Sequence, residues 1–173
     1  MSELLDVVDR DNTVIEKATR ADIHNSDLWH RGSHVLLFNT KEEILLQHRS
    51  KTRDKFPDTL DCSASGHTLA GDTYEQTAQK ELEEELGVKD IALKKILLFR
   101  MHYGTHDNMI SALYEGSYDG PFTIDPKEII DVRFYPQEKI REMIKQTPEQ
   151  FSSWTLEILK WYFHLPSRVE KLA

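Results

Sequence analysis

Cysteine is nearly missing from this chain: Cys62 stands alone among 173 residues. A lone cysteine closes no internal disulfide, so stability has to come from a packed core, and this suits a reducing compartment. Long apolar runs are missing as well. No stretch offers the roughly 20 apolar residues that cross a bilayer, so no membrane partner is expected. No charged-then-apolar start reads as a secretion signal, and the expected location is the cytoplasm. Positive charge is in deficit, with 22 Lys and Arg against 30 Asp and Glu and a formal charge of −8. Duplex binders carry a basic excess or stripe, so a nucleic-acid duplex is not an expected partner. An acidic chain can still take phosphates where a local basic patch or bound metal ions supply the attraction. Repeats, low-complexity segments and Pro/Gly-rich linkers are absent. With 39% hydrophobic residues, the length supports a single domain, residues 1–173, that includes the N-terminal strands within 1–33 and a helix at 150–165.

Apolar periodicity outlines the elements. LLDVVDRDNTVIEKATR (4–20) reads as two short strands around a turn at Asp9–Asn12. HVLLFNTKEEILLQHR (34–49) sets two apolar runs about a polar turn and predicts a β-hairpin. Residues 56–67 are an irregular approach with an extended end. Residues 73–86 form the clearest helix. Asp72 and Thr73 are both good N-caps; Ala78, Leu82 and Leu86 recur at helical spacing, and Gly87 suits the stop. Strands are expected at 91–103, 108–118 and 128–136, then helices at 137–146 and 152–165. Trp154 and Trp161 read as core residues of the last helix, with a wall of a pocket as the second reading for Trp154. The order is α+β, a mixed sheet packed between helices.

What is abundant is glutamate in one place. KELEEELGV (80–88) carries Glu81, Glu83, Glu84 and Glu85. On a helix, Glu81, Glu84 and Glu85 fall at i, i+3 and i+4 and share a face, while Leu82 and Leu86 point to the core. A solvated glutamate face is the ordinary reading of such a run. Three carboxylates on one face also make a site for hard divalent cations, which want oxygen ligands and would offset the repulsion.

The spacing favours the site. Gly66, five residues, Asp72, seven residues and KELEEELGV form a pattern that resembles the Nudix box. Gly66, Glu81, Leu82, Glu84, Glu85, Gly87 and Val88 match it. Asp72 stands for its first glutamate and Lys80 for its arginine, and lysine cannot make arginine's bidentate fork to a carboxylate. The resemblance implies an α/β/α sandwich around a mixed sheet. It also implies hydrolysis of a nucleoside diphosphate linked to another group X, with Mg²⁺ or Mn²⁺ neutralising the phosphates and activating water. By analogy Glu84 and Glu85 ligate metal, Glu81 ligates metal or acts as the base, and the Gly66 carbonyl completes the site.

Most of the rest of the chain is similar to the isopentenyl-diphosphate-isomerase-like branch of that superfamily. The branch's isomerases bind a metal through histidines, and His24, His30 and His67 fall near the matching places, as a second metal or substrate site. By itself HNSDLWHRGSHV reads as a surface loop. Ser65 stands where the isomerase cysteine should precede the Gly-His pair, and Cys62 lies three residues earlier. The glutamate expected as second catalytic acid after the box is missing, since THDNMISALYEG offers Asp107 and Asn108 there. A serine hydroxyl is a weak substitute for a thiol in proton transfer. HRSKTRDKFP (48–57) supplies Arg49, Lys51, Arg53 and Lys55, read either as a solvated loop or as a diphosphate clamp. Glu128 lies where some Nudix hydrolases place a further acid. The expected activity is metal-dependent cleavage of a diphosphate bond in a small, nucleotide-like substrate. The alternatives are an isopentenyl-diphosphate isomerase and a non-catalytic nucleotide- or diphosphate-binding module.

Overall fold

The computed structural model describes residues 3–172; Met1, Ser2 and Ala173, the ends of the expected 1–173 domain, lie outside the described residues. In chain order the first elements are β1 (Leu4–Val8), β2 (Val14–Thr19), α1 (Arg20–Asn25), β3 (Trp29–Phe38), β4 (Ile44–Arg49), β5 (Leu60–Asp61), β6 (Ala64–His67) and α2 (Tyr74–Leu86). There follow β7 (Lys94–Gly104), β8 (Asp107–Ser117), β9 (Ile129–Tyr135), α3 (Gln137–Gln146), α4 (Ser153–Tyr162) and β10 (Glu170–Lys171), with a 3₁₀ turn at Pro148–Gln150 before α4.

Strand β3 organises the sheet. It pairs in parallel with β8 from Trp29↔Asn108 to Phe38↔Ser117, antiparallel with β6 from Gly32↔His67 to Val35↔Ala64, and antiparallel with β1. Its apolar residues alternate between faces, as a period of two demands. Val35 and Leu37 pack with Leu45 of β4 and with Ala78, Leu82 and Leu86 of α2. Leu36 packs with Leu46 of β4 and with Ile140, Ile144, Ile158 and Leu159 of α3 and α4. The result is the expected α/β/α layering of an α+β fold around a mixed sheet.

The hairpin predicted at 34–49 is only partly realised. β3 and β4 share one register pair, Phe38↔Ile44, and then diverge. β4 instead pairs with β9 from Ile44↔Tyr135 to Arg49↔Ile129. Both strands are apolar on both faces, so each is an interior strand that takes neighbours from distant parts of the chain. The local pattern shows the turn and not the partner. The divergence leaves β6 paired with β3 only and β5 with β4 only, and a cleft is lined from both branches.

The β1–β2 turn lies where expected. For α2 the N-cap is Thr73, whose side chain accepts from the Gln76 N–H in a reciprocal capping box; Asp72 lies one residue outside. Gly87 closes the helix at φ 68°, a left-handed conformation that favours glycine. Residues 24–35, which by themselves read as a surface loop, are the end of α1, a short turn at 26–28 with Ser26 and Asp27 exposed, and the start of β3, buried at His30 and from Gly32 on. Helix α1 is six residues long with Ile23 as its one buried residue, too short to show periodicity. Among the described residues no helix is long and apolar enough to cross a membrane.

Candidate active site

Helix α2 brings Glu81, Glu84 and Glu85 to one end of a cleft of about 420 Å³. Glu85 is buried, and its Oε2 accepts from Gln47 Nε2 at 2.9 Å and from the Ser65 backbone N–H at 3.2 Å. Glu81 lies against Gly66, where any added side chain would collide with the glutamate. Glycine is needed there for close approach, not for backbone freedom. Glu84 is more open and sits 3.8 Å from Lys80 Nζ. Lys80 therefore makes a single long contact with a glutamate on its own helix. Glu83 points elsewhere and pairs with Lys89.

Burial, then repulsion from Glu84, pushes Glu81 up to about 7. Burial, then repulsion from Glu81, raises Glu85 well above the usual carboxylate range. Oxygen donors crowded until they resist ionisation fit a hard divalent ion such as Mg²⁺ or Mn²⁺. The chemistry of the donor set matches the implied cofactor.

The basic loop splits into separate roles. Arg53 lies over the cleft and pairs with Glu128 at 2.8 Å, and both line it. Lys55 lines it too, with Nζ 2.6 Å from Asp107. Arg49 borders the cleft, yet its guanidinium is buried and held by Asp61 at 2.7 Å and by the Lys55 and Phe56 carbonyls. It stacks 5.3 Å over the Trp154 ring. Lys51 is 74% exposed, 3.7 Å from Asp58, and does not line the cleft.

The histidines converge as well. His24 from the last turn of α1, His30 from β3 and His67 from β6 present ring nitrogens all within 4.8 Å of one another. Neither nitrogen of His30 has a partner among the described residues. Burial lowers His30 to about 4 and His67 well below its ordinary value, and burial with nearby Lys55 lowers His24. Neutral imidazoles are the metal-ligating form. Asp107 stands 3.9 Å from His24. Asn108 turns instead to Asp27 and His102.

Neighbouring residues of a strand point to opposite faces. Gly66 thus faces α2, whereas Ser65 and His67, register partners of His34 and Gly32, share the other face with His30 and His34. The cleft runs around the unpaired edge of β6 and touches both faces. Cys62 is in the core, its thiol 3.2 Å from Thr155 Oγ1 and raised by burial, so it does not replace Ser65 as an isomerase thiol. Sequence reasoning did not single out Asp61, His34, Gln47 or Met109. Neither Asp61, in the mixed stretch DTLDCSASGH, nor His34, which only precedes the apolar run VLLF, carries a clear signal in the sequence.

Comparison with known proteins agrees with this geometry. The NUDIX domain family model matches residues 28–161. The isopentenyl-diphosphate Delta-isomerase 2 of Photorhabdus laumondii is 31% identical over 163 residues, covering 92% of each chain. An uncharacterized Nudix hydrolase of Pseudomonas aeruginosa is 30% identical over 162 residues, covering 93% of this chain and 94% of that one. The crystal structure of DR0079 from Deinococcus radiodurans superposes with a TM-score of 0.79 at 23% identity, covering 92% of this chain and 98% of that one. With the box residues gathered on α2 and the family model spanning most of the sequence, the chain belongs to the Nudix hydrolase family.

Proposed function

We propose that the protein is a cytoplasmic, single-domain Nudix enzyme that hydrolyses the diphosphate bond of a small nucleoside-diphosphate-type substrate with the help of Mg²⁺ or Mn²⁺. The observation that carries this reading is the pair of α2 carboxylates at the cleft, Glu85 buried and Glu81 half-buried against Gly66, with Arg53 and Lys55 also lining it. Glu81, Glu84, Glu85 and the Gly66 carbonyl would hold the divalent ion. When bound, such an ion neutralises phosphate oxygens and makes water a better nucleophile near neutral pH. Where Glu81 does not itself ligate the ion, it accepts the proton that the attacking water gives up. Arg53 and Lys55 leave their carboxylate partners, Glu128 and Asp107, to hold phosphate oxygens, and Arg49 supports Lys55 through its carbonyl and keeps the cleft wall in place. Lys51 lends only long-range charge. Glu128, released by Arg53, is the distal acid.

The trio His24, His30 and His67, with Asp107 beside it, would hold a second divalent ion. That arrangement favours an isomerase as the second reading, and the core placement of Cys62 speaks against it.

The test is release of phosphate and pyrophosphate with Mg²⁺ or Mn²⁺ from nucleoside di- and triphosphates, nucleotide sugars, dinucleotides and isoprenoid diphosphates. Metal-dependent release that disappears in Glu85→Gln is the expected result. No release from any substrate by folded, metal-binding protein overturns the hydrolase reading. Solvent deuterium in recovered isopentenyl diphosphate would then establish the isomerase, and tight binding without turnover the non-catalytic module.

A further inference from the structure

His34 has no role in the chemistry above, yet it lines the same cleft. It is 4% exposed, and neither ring nitrogen has a partner among the described residues. A buried polar group without a partner carries an uncompensated desolvation cost, so it is rarely kept without use. Burial holds the ring down at about 4, which leaves a neutral imidazole with one donor and one acceptor at working pH.

Its neighbours set it apart from the metal end. On the face of the sheet that carries His34, β6 contributes Ser65, and β8 contributes Ser111 and Leu113, which pair in register with Gly32 and His34. Met109 and Trp154 line the cleft there. The α2 carboxylates lie on the opposite face, beyond Gly66. A substrate whose diphosphate sits at the carboxylates therefore carries its remaining part around the β6 edge toward Met109, the Trp154 indole with Arg49 stacked on it, and the His34 imidazole.

We propose that His34 is a specificity-determining residue of this enzyme: its ring hydrogen-bonds an uncharged polar group of the substrate beyond the diphosphate, either a nucleobase edge or a sugar hydroxyl. The proposal rests on the diphosphate-hydrolase reading for the direction of the substrate in the cleft. A site built to pair such a group rejects analogues that lack it, because its own polar atoms are then left unpaired.

The experiment measures binding, not turnover, so a protein that binds without cleaving still tests His34. Probes are ADP-ribose, 5-phosphoribosyl 1-pyrophosphate, which has sugar hydroxyls and no base, and isopentenyl diphosphate, which has neither. Kd with Mg²⁺, or KM where a probe is cleaved, is read for the native protein, His34→Phe and His34→Gln. His34→Phe is expected to weaken ADP-ribose by about 10- to 100-fold, to leave isopentenyl diphosphate unchanged, and to be rescued by His34→Gln. Loss for ADP-ribose alone places a nucleobase at His34; loss for both polar probes places a sugar hydroxyl. Equal loss for isopentenyl diphosphate, no loss for any probe, or no binding of either polar probe by the native protein overturns the proposal. Should His34→Phe not fold, ¹⁵N-histidine NMR of the native protein decides: His34 ring nitrogens shift on saturation with the bound polar probe, and unmoved resonances overturn the assignment.

Discussion

Asp61 and Glu85 are both buried carboxylates, Glu85 lining the cleft and Asp61 behind its wall at Arg49 and Trp154, and they are treated in opposite ways. Asp61 is satisfied from several directions. Its Oδ2 meets the Arg49 guanidinium at 2.7 Å; its Oδ1 accepts from Trp154 Nε1 at 2.6 Å, from Ser152 Oγ at 3.1 Å, from Thr155 Oγ1 and from the Cys62 N–H. It joins β4, β5 and the first turn of α4. Glu85 receives one side-chain amide and one backbone N–H, and among the described residues no cation pairs with it. Its nearest charged neighbours, Glu81 and Asp61, repel it. Burial alone therefore does not distinguish a structural carboxylate from a functional one. The difference lies in whether the protein supplies the countercharge or leaves it to a ligand.

The sharpest way to break this comparison is to neutralise each carboxylate. Glu85→Gln is expected to lower metal-dependent diphosphate cleavage by about 10²- to 10⁴-fold while thermal stability without metal stays level or rises, since a repulsion is removed. Steady-state rates and a melting curve on the same sample check both halves. Asp61→Asn is expected to do the reverse first: it leaves the Arg49 cation buried without its partner and costs about 3–5 kcal/mol, read as a lower urea midpoint at constant m-value. A stable Asp61→Asn variant would show that Arg49 finds compensation elsewhere.

A pH titration without divalent metal sharpens the comparison further. Glu81 sits at about 7 in the folded protein against an ordinary 4.5. The native state therefore binds the proton more tightly than the unfolded chain does. Stability from this group is complete below about pH 4.5 and is lost as pH rises through about 7, by about 3 kcal/mol at most. Added Mg²⁺ is expected to flatten that decline, as a ligand bound only by the native state must. Because burial lowers His24, His30, His34 and His67, these groups add stability as pH rises over part of the same range. The Glu81 contribution is therefore read as the difference between the native protein and Glu81→Gln, and identical pH dependence in the two would contradict the burial of Glu81. The smallest effect is expected at Lys80. Its contact with Glu84 is long and exposed, so Lys80→Ala is expected to change stability by less than about 0.5 kcal/mol.

Local chemistry made the acidic helix legible. Thr73, the Ala78–Leu82–Leu86 stripe and Gly87 are neighbours in sequence, and helices are built from neighbours. The same holds for the turn at Asp9–Asn12. The hairpin at 34–49 was half legible, because its turn is local and its pairing with β9 is not. Among the basic residues, charge and spacing named Arg49, Lys51, Arg53 and Lys55 alike. Only coordinates show Arg49 held by Asp61, Lys51 in solvent, and Arg53 and Lys55 lining the cleft beside acids.

The sequence by itself determined the family chemistry, because a helix of fixed period with Gly66 at a set distance puts the carboxylates on one face whatever surrounds them. The tertiary structure alone decided what those carboxylates and their neighbours experience. Depth of burial, the gathering of three histidines from α1, β3 and β6, the countercharge on Asp61 and the unpaired ring of His34 all depend on contacts between residues far apart in the chain. Solvation and Coulomb energies follow distance in space, and periodicity along a sequence does not encode it.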